Sequence, residues 1–186
     1  MGHGGNVIDE FTADHREVEA LFARIETQPV GDDRRRALAD ELMVELTRHA
    51  VAEEAYLYPA VREHVDDGDA IADRAIADHG GVEELLEKLQ GRDADDPDFD
   101  DLIARLRLDV NEHVRDEENR LFPLLAAACP AAVLTGLGDS VRSVERTPPG
   151  RAPSAGSNTA PADERRAPHV GAVGRVRDLP SGGGGD

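Results

Sequence analysis

Two stretches decide the fold: HAVAEEAYLYP, from His49 to Pro59, and HVRDEENRLFP, from His113 to Pro123. They share His, Glu-Glu, Leu, an aromatic residue and Pro at the same offsets. The repetition continues upstream. Shifted by 64 residues, DHREVEALFARI (Asp14–Ile25) overlays DHGGVEELLEKL (Asp78–Leu89), so that His15 meets His79 and Val18-Glu19 meets Val82-Glu83. His49 and His113 each follow the upstream histidine of their half by 34 residues. One helix hairpin used twice predicts a pseudo-twofold bundle.

The spacing of apolar residues supplies the helices. Val18, Leu21, Phe22 and Ile25 form one stripe over about Ile8–Glu26, ended by QPVGDD with its Pro29 and Gly31. Similar stripes predict helices over about Asp33–His64, Ala70–Gln90 and Phe99–Ala128, with short connections that make consecutive helices antiparallel. The expected class is all-α, an up-down-up-down four-helix bundle. A short fifth helix over Ala131–Val144 is weakened by Gly136 and Gly138. Pro59 and Pro123 fall inside two of the long helices, where each removes a backbone donor and predicts a kink or an end.

The composition changes near residue 148. Residues 1–147 read as the bundle, and residues 148–186 as a flexible, largely disordered Pro/Gly/Ala/Arg-rich tail whose Val170–Leu179 patch could form a docking turn. Formal net charge is −18, and the segment from Asp139 onward carries 7 Arg against 6 acidic residues, so the acidity belongs to the bundle. Such a surface repels phosphate backbones and anionic lipid, which argues against nucleic acid or a membrane as partner. No apolar run approaches the roughly 18 residues a transmembrane helix needs. The N-terminus shows no basic and apolar pattern of a secretory signal, so the cytoplasm is the expected compartment. The single cysteine, Cys129, excludes cysteine-based metal sites and reads as a packed thiol.

Geometry gives the repeat its chemistry. Residues i and i+4 share a helix face, so His49/Glu53 and His113/Glu117 each set an imidazole beside a carboxylate. His15 and His79 join from the other two helices. Four imidazoles and two carboxylates converging in a bundle core suit two borderline divalent metals bridged by the carboxylates. A lone helical histidine is ordinarily structural, and His3, His64 and His169 are read that way. The joined pattern on four helices is not.

The arrangement H…HxxxEE…H…HxxxEE, closed by LYP and LFP, resembles the hemerythrin-like HHE cation-binding domain over about Val7–Ala128. The tail's APHVGAVGRVRDL is similar to a C-terminal segment of actinobacterial members. The resemblance implies a non-haem diiron centre. His15 and His49 would hold one iron and His79 and His113 the other, with Glu53, Glu117 and an oxo or hydroxo group bridging. Proton loss on binding is expected to be modest, because neutral imidazoles and ionised carboxylates are the binding forms. Oxygen-carrying hemerythrins have a further histidine four residues after the one matched by His79, and here Glu83 stands there, with Glu19 at the matching place after His15. Both are candidate extra ligands or helix-edge residues. Glu54 and Glu118 turn about 100° from the bridging pair and read as supports or solvated groups. Tyr56 and Arg120, each seven residues after a ligand histidine, are expected to face inward, where Tyr56 would either fill volume or bond a bridging carboxylate, and Arg120 would either balance charge or extend to solvent. Three functions remain open: a module binding or sensing O2, nitric oxide or iron, an enzyme disproportionating peroxide or reducing nitric oxide, and a bundle holding zinc or nothing. The partner is expected to be a small diatomic ligand or peroxide, and the tail names no protein partner.

Overall fold

Asn6 starts the first helix. Its side-chain oxygen accepts from the Ile8 and Asp9 N–H groups at 2.8 and 3.3 Å, while the Asp9 carboxylate accepts from the Asn6 N–H at 3.0 Å. This reciprocal cap satisfies donors that have no partner inside the helix. In the computed structural model, which describes residues 5–145, α1 runs Val7–Thr27. The tail, its Val170–Leu179 patch, His3 and His169 lie outside the described residues.

Asp32 caps α2 (Asp33–Ala52) by accepting from the Arg34 N–H at 2.8 Å. A π-helical turn, Glu53–Leu57, leads without a break into α3 (Tyr58–His64). Then come α4 (Gly68–Leu89), α5 (Phe99–Asp116), a second π-helical turn (Glu117–Leu121), α6 (Phe122–Ala128) and α7 (Ala131–Glu145). The four long rods form the predicted up-down-up-down bundle, and the fifth helix is present. The turn before α4 is tight. Asp67 is left-handed (φ 57°), and a Cβ on Gly68 would lie 2.2 Å from the Val61 carbonyl oxygen, so only glycine fits.

The two prolines act differently from a simple kink. Pro59 and Pro123 have no N–H, so one bond of the ordinary ladder is lost at each. The chain absorbs this by widening the preceding turn with one extra residue. The Tyr58 N–H reaches back to the Glu53 carbonyl, and the Phe122 N–H to that of Glu117.

The core lies in two apolar clusters. One gathers Leu21, Phe22, Ile25, Leu42, Leu89, Phe99 and Leu106 near the α1–α2 and α4–α5 connections. The other gathers Val7, Phe11, Leu57, Tyr58, Leu121, Leu125, Leu134 and Val141 at the opposite end. A layer of histidines separates them, since His15 falls between Phe11 and Val18, and His49 between Leu46 and Ala52. α7 closes the second cluster by packing on α1. A Cβ at Gly138 would sit 2.8 Å from the Gly5 carbonyl oxygen, and Arg142 donates to that oxygen at 2.7 Å and to the buried Glu10 carboxylate. Cys129 is buried as expected, and burial pushes its thiol up. No helix among the described residues is long and apolar enough to cross a membrane.

Candidate metal centre

The histidine layer brings all six predicted ligands together, one or more from each rod. His15, His49, Glu53 and Glu117 form one group and Glu53, His79 and His113 a second, the donor atoms of each group lying within 4.8 Å of one another. Glu53 joins the two. Its Oε1 lies 3.1 Å from His49 Nε2, and its Oε2 lies 3.1 Å from His79 Nε2 and 3.8 Å from His113 Nε2. Glu117 Oε2 lies 3.4 Å from His15 Nε2 and 3.6 Å from His113 Nε2.

The outer glutamates aim the imidazoles. His15 Nδ1 bonds Glu118 Oε1 at 2.9 Å, and His79 Nδ1 bonds Glu54 Oε1 at 3.1 Å. An ionised carboxylate only accepts, so each ring donates from Nδ1 and turns its Nε2 edge inward. Each of these bonds crosses from one hairpin to the other. The Asp14 carboxylate lies 3.7 Å from His49 Nδ1. The geometry therefore assigns Glu54 and Glu118 to support of the ligand set.

The donor set fits a cation on its own chemistry. His15 Nε2, His49 Nε2, Glu53 Oε1 and Glu117 Oε2 are buried and make no hydrogen bond. Convergent lone pairs without donors between them are the arrangement a positive ion satisfies. Burial works against a charged His49, but Glu53 and Asp14 outweigh it and raise its pKa. His79, under the same opposition, is raised to about 9 by Glu53 and Glu54. Burial pushes Glu53 up, yet His49, His113 and His79 pull it well below the ordinary carboxylate range. Glu117 moves the other way, raised by burial and by the adjacent Glu53. Two carboxylates this close divide their ionisation.

Tyr56 and Arg120 are not where the helical angles set them. Tyr56 is half-buried against the apolar cluster rather than hydrogen-bonded to the candidate ligands, and Arg120 is exposed, its guanidinium on Asp116 at 2.6 and 2.9 Å. The π-helical turns are the cause, because one extra residue rotates everything after Glu53 and Glu117 back by about 100°. Leu57 takes the inward place set for Tyr56, and Leu121 that of Arg120; both are buried. Glu19 is exposed beside Arg16 at 4.0 Å, and Glu83 is half-buried; neither belongs to the two donor groups. His64, read as structural, lies outside them too.

The same rotation delivers Tyr58, which the helical angles missed. Its hydroxyl lies 3.1 Å from His79 Nε2, 3.2 Å from Glu117 Oε1 and 3.4 Å from Glu53 Oε2. Burial and the two carboxylates push its pKa far up, so it keeps its proton and donates. Its counterpart in the other half, Phe122, stacks on His15 with ring centroids 5.8 Å apart and planes 3° from parallel. The shared aromatic in LYP and LFP was the signal.

Comparison with known proteins agrees with this centre. Residues 6–125 match the family described as "Hemerythrin HHE cation binding domain". The chain belongs to that family. It is 32% identical over 117 residues to a protein named DNA nickase from Nostoc sp., covering 63% of this chain and 32% of that one. It is 27% identical over 120 residues to an uncharacterized hemerythrin-like protein of Schizosaccharomyces pombe, covering 64% and 59% of the two chains. Less than two thirds of either relative is thus spanned. Its fold is similar to the crystal structure of a hemerythrin HHE cation-binding domain-containing protein from Mycobacterium kansasii, a homolog of Rv2633c. The TM-score is 0.67 at 25% identity, over 76% of this chain and 86% of that one.

Proposed function

We propose that the chain is a non-haem diiron protein that binds O2, nitric oxide or peroxide in the bundle core, as a sensor or in handling iron and oxidative stress. One observation carries the reading. A fully buried carboxylate, Glu53, faces two imidazole groups with one oxygen toward each. Nitrogen donors with shared carboxylates suit borderline divalent metals, the family is a cation-binding one, and the resemblance to hemerythrins favours iron among the candidates. Iron held there supplies electron exchange with a small oxygen or nitrogen ligand.

The chain's own residues do the rest. Glu54 and Glu118 hold two imidazoles in the tautomer that presents Nε2. Phe11, edge-on to His49 at 5.3 Å, together with Leu57 and Leu121 walls the layer from water. Tyr58 favours a second reading, an enzyme disproportionating peroxide or reducing nitric oxide. Its hydroxyl holds a proton within 3.4 Å of both shared carboxylates, where either reaction needs one moved. The nickase relative is matched over only 32% of its length, and the net charge of −18 speaks against carrying DNA binding over.

Metal analysis with an absorption spectrum of the protein as isolated tests the proposal, with two irons per chain expected. After reconstitution with Fe2+, a reversible oxygenated spectrum supports binding, and O2 evolution from peroxide supports catalysis. Colourless protein carrying stoichiometric zinc would overturn both.

A further inference from the structure

Leu121 to Gly138 is the longest stretch of the chain without an Asp, Glu, Lys, Arg or His, in a sequence where 32% of the residues are charged. It closes the second π-helical turn and forms α6, the turn at Cys129 and Pro130, and the first half of α7. Leu121, Phe122, Leu125, Cys129 and Leu134 face the second apolar cluster. The other side of the stretch is bare. Between Pro123 and Gly136, 11 residues are exposed, among them Leu124 at 42%, Val133 at 39%, and Ala127, Ala128, Ala131 and Ala132.

Elsewhere among the described residues, exposed large apolar side chains stand beside charge. Leu108 lies one turn from Arg105 and Glu112, Val44 and Val51 lie one turn either side of Arg48, and Val30 precedes Asp32 by two residues. On the α6–α7 corner, charge resumes only at the borders, with Arg120 before it and Asp139 after it. Glu63 marks a third edge, where its charge adds to burial in pushing the Cys129 thiol up.

From this uncharged, exposed corner we infer that the chain forms a weak homodimer, a second copy packing its own α6 and α7 against the same helices of the first. The charge of the molecule selects that occupant. Each copy carries −18, so two copies repel across their acidic faces, and an uncharged face lets them meet without setting like charges together. An apolar face is also its own complement, as a twofold contact requires. Extent sets the strength. A standard interface uses about 20–30 residues a side, so 11 exposed residues support association on the order of micromolar or weaker. The inference is independent of what the histidine layer holds.

Sedimentation equilibrium of the full chain, taken up to about 1 mM, tests it in the weak range expected of a small interface. Salt shortens the reach of the repulsion and leaves the apolar contact, so raising NaCl from about 0.05 to 0.5 M should tighten the dimer by about 3-fold or more. Leu124→Asp and Val133→Asp each bring like charges into the contact, and each should weaken the dimer by about 10-fold or more with unchanged circular dichroism. Leu108→Asp alters a more exposed apolar residue, at 66%, outside the corner and should leave the dimer as it is. A chain still monomeric at the highest concentration and salt would overturn the inference and leave the corner to another segment or a different protein. A dimer that salt dissociates, that both corner variants leave intact, or that Leu108→Asp weakens equally would overturn it by placing the contact elsewhere.

Discussion

The hairpin α1–α3 and the hairpin α4–α6 are written in one pattern and furnished in two ways. Each supplies two histidines, a shared carboxylate and an outer glutamate that supports the opposite hairpin's histidine. In the first, His15 is flanked by Arg16, and the residue after the π-helical turn is Tyr58. In the second, His79 is flanked by Gly80, and the residue after the turn is Phe122. The histidines and glutamates of the candidate donor set are the part of the repeat that both halves keep. The surroundings have diverged, and they set what each half of the centre can do.

The largest effect expected from breaking this comparison is loss of ligand. His49→Ala and His113→Ala should each abolish the two-ion form in metal analysis, whereas His64→Ala should keep it. If His64→Ala strips metal equally, the ligand assignment fails. Exchanging the furnishings comes next. Tyr58→Phe makes the two halves alike at this place, and should keep both ions while shifting the visible bands and changing the rate with peroxide about 10–100-fold. An unmoved spectrum and rate would leave Tyr58 as packing.

Removing a support rather than a ligand should cost about as much affinity at one position only. Glu118→Gln keeps the shape but no longer forces His15 to donate, so ion affinity in titration should fall by about 10-fold or more. Arg16→Ala, which only steadies Glu118 from the surface, should do less, and the ranking of the two variants is the check. The smallest effects belong to the residues that the π-helical turns carried away. Tyr56→Phe and Arg120→Ala should each stay within about 0.5 kcal/mol in denaturant unfolding and leave metal content unchanged.

The reach of the sequence ends at those turns. The bundle and the shared face of each His–Glu pair follow from a period of 3.6 residues and an internal repeat, and His15, His49, Glu53, His79, His113 and Glu117 do converge in one layer. The division of the histidines into two positions came from the family resemblance. Up to Glu53 and Glu117 the arithmetic is sound. Beyond them it fails, because Pro59 and Pro123 insert a residue into the helical count. A proline at the same offset in both halves marked the place, and a kink and a widened turn have the same sequence signature. The pairing of Glu54 and Glu118 with histidines of the opposite hairpin was illegible for another reason. It depends on how two rods lean together, which no single helix encodes.

Those crossed bonds make the centre a dimer interface folded into one polypeptide. Two separate copies of such a hairpin, related by a twofold axis, would meet through one self-complementary patch and would have to change on both sides at once. Fusion removes that constraint, since each copy mutates independently while the other goes on holding its partner's histidine. It also ties the ion to the entire association, because neither hairpin owns a complete donor set. An ion held there would add to the apolar packing that already joins the hairpins, and would stabilise their association further as its free concentration rises.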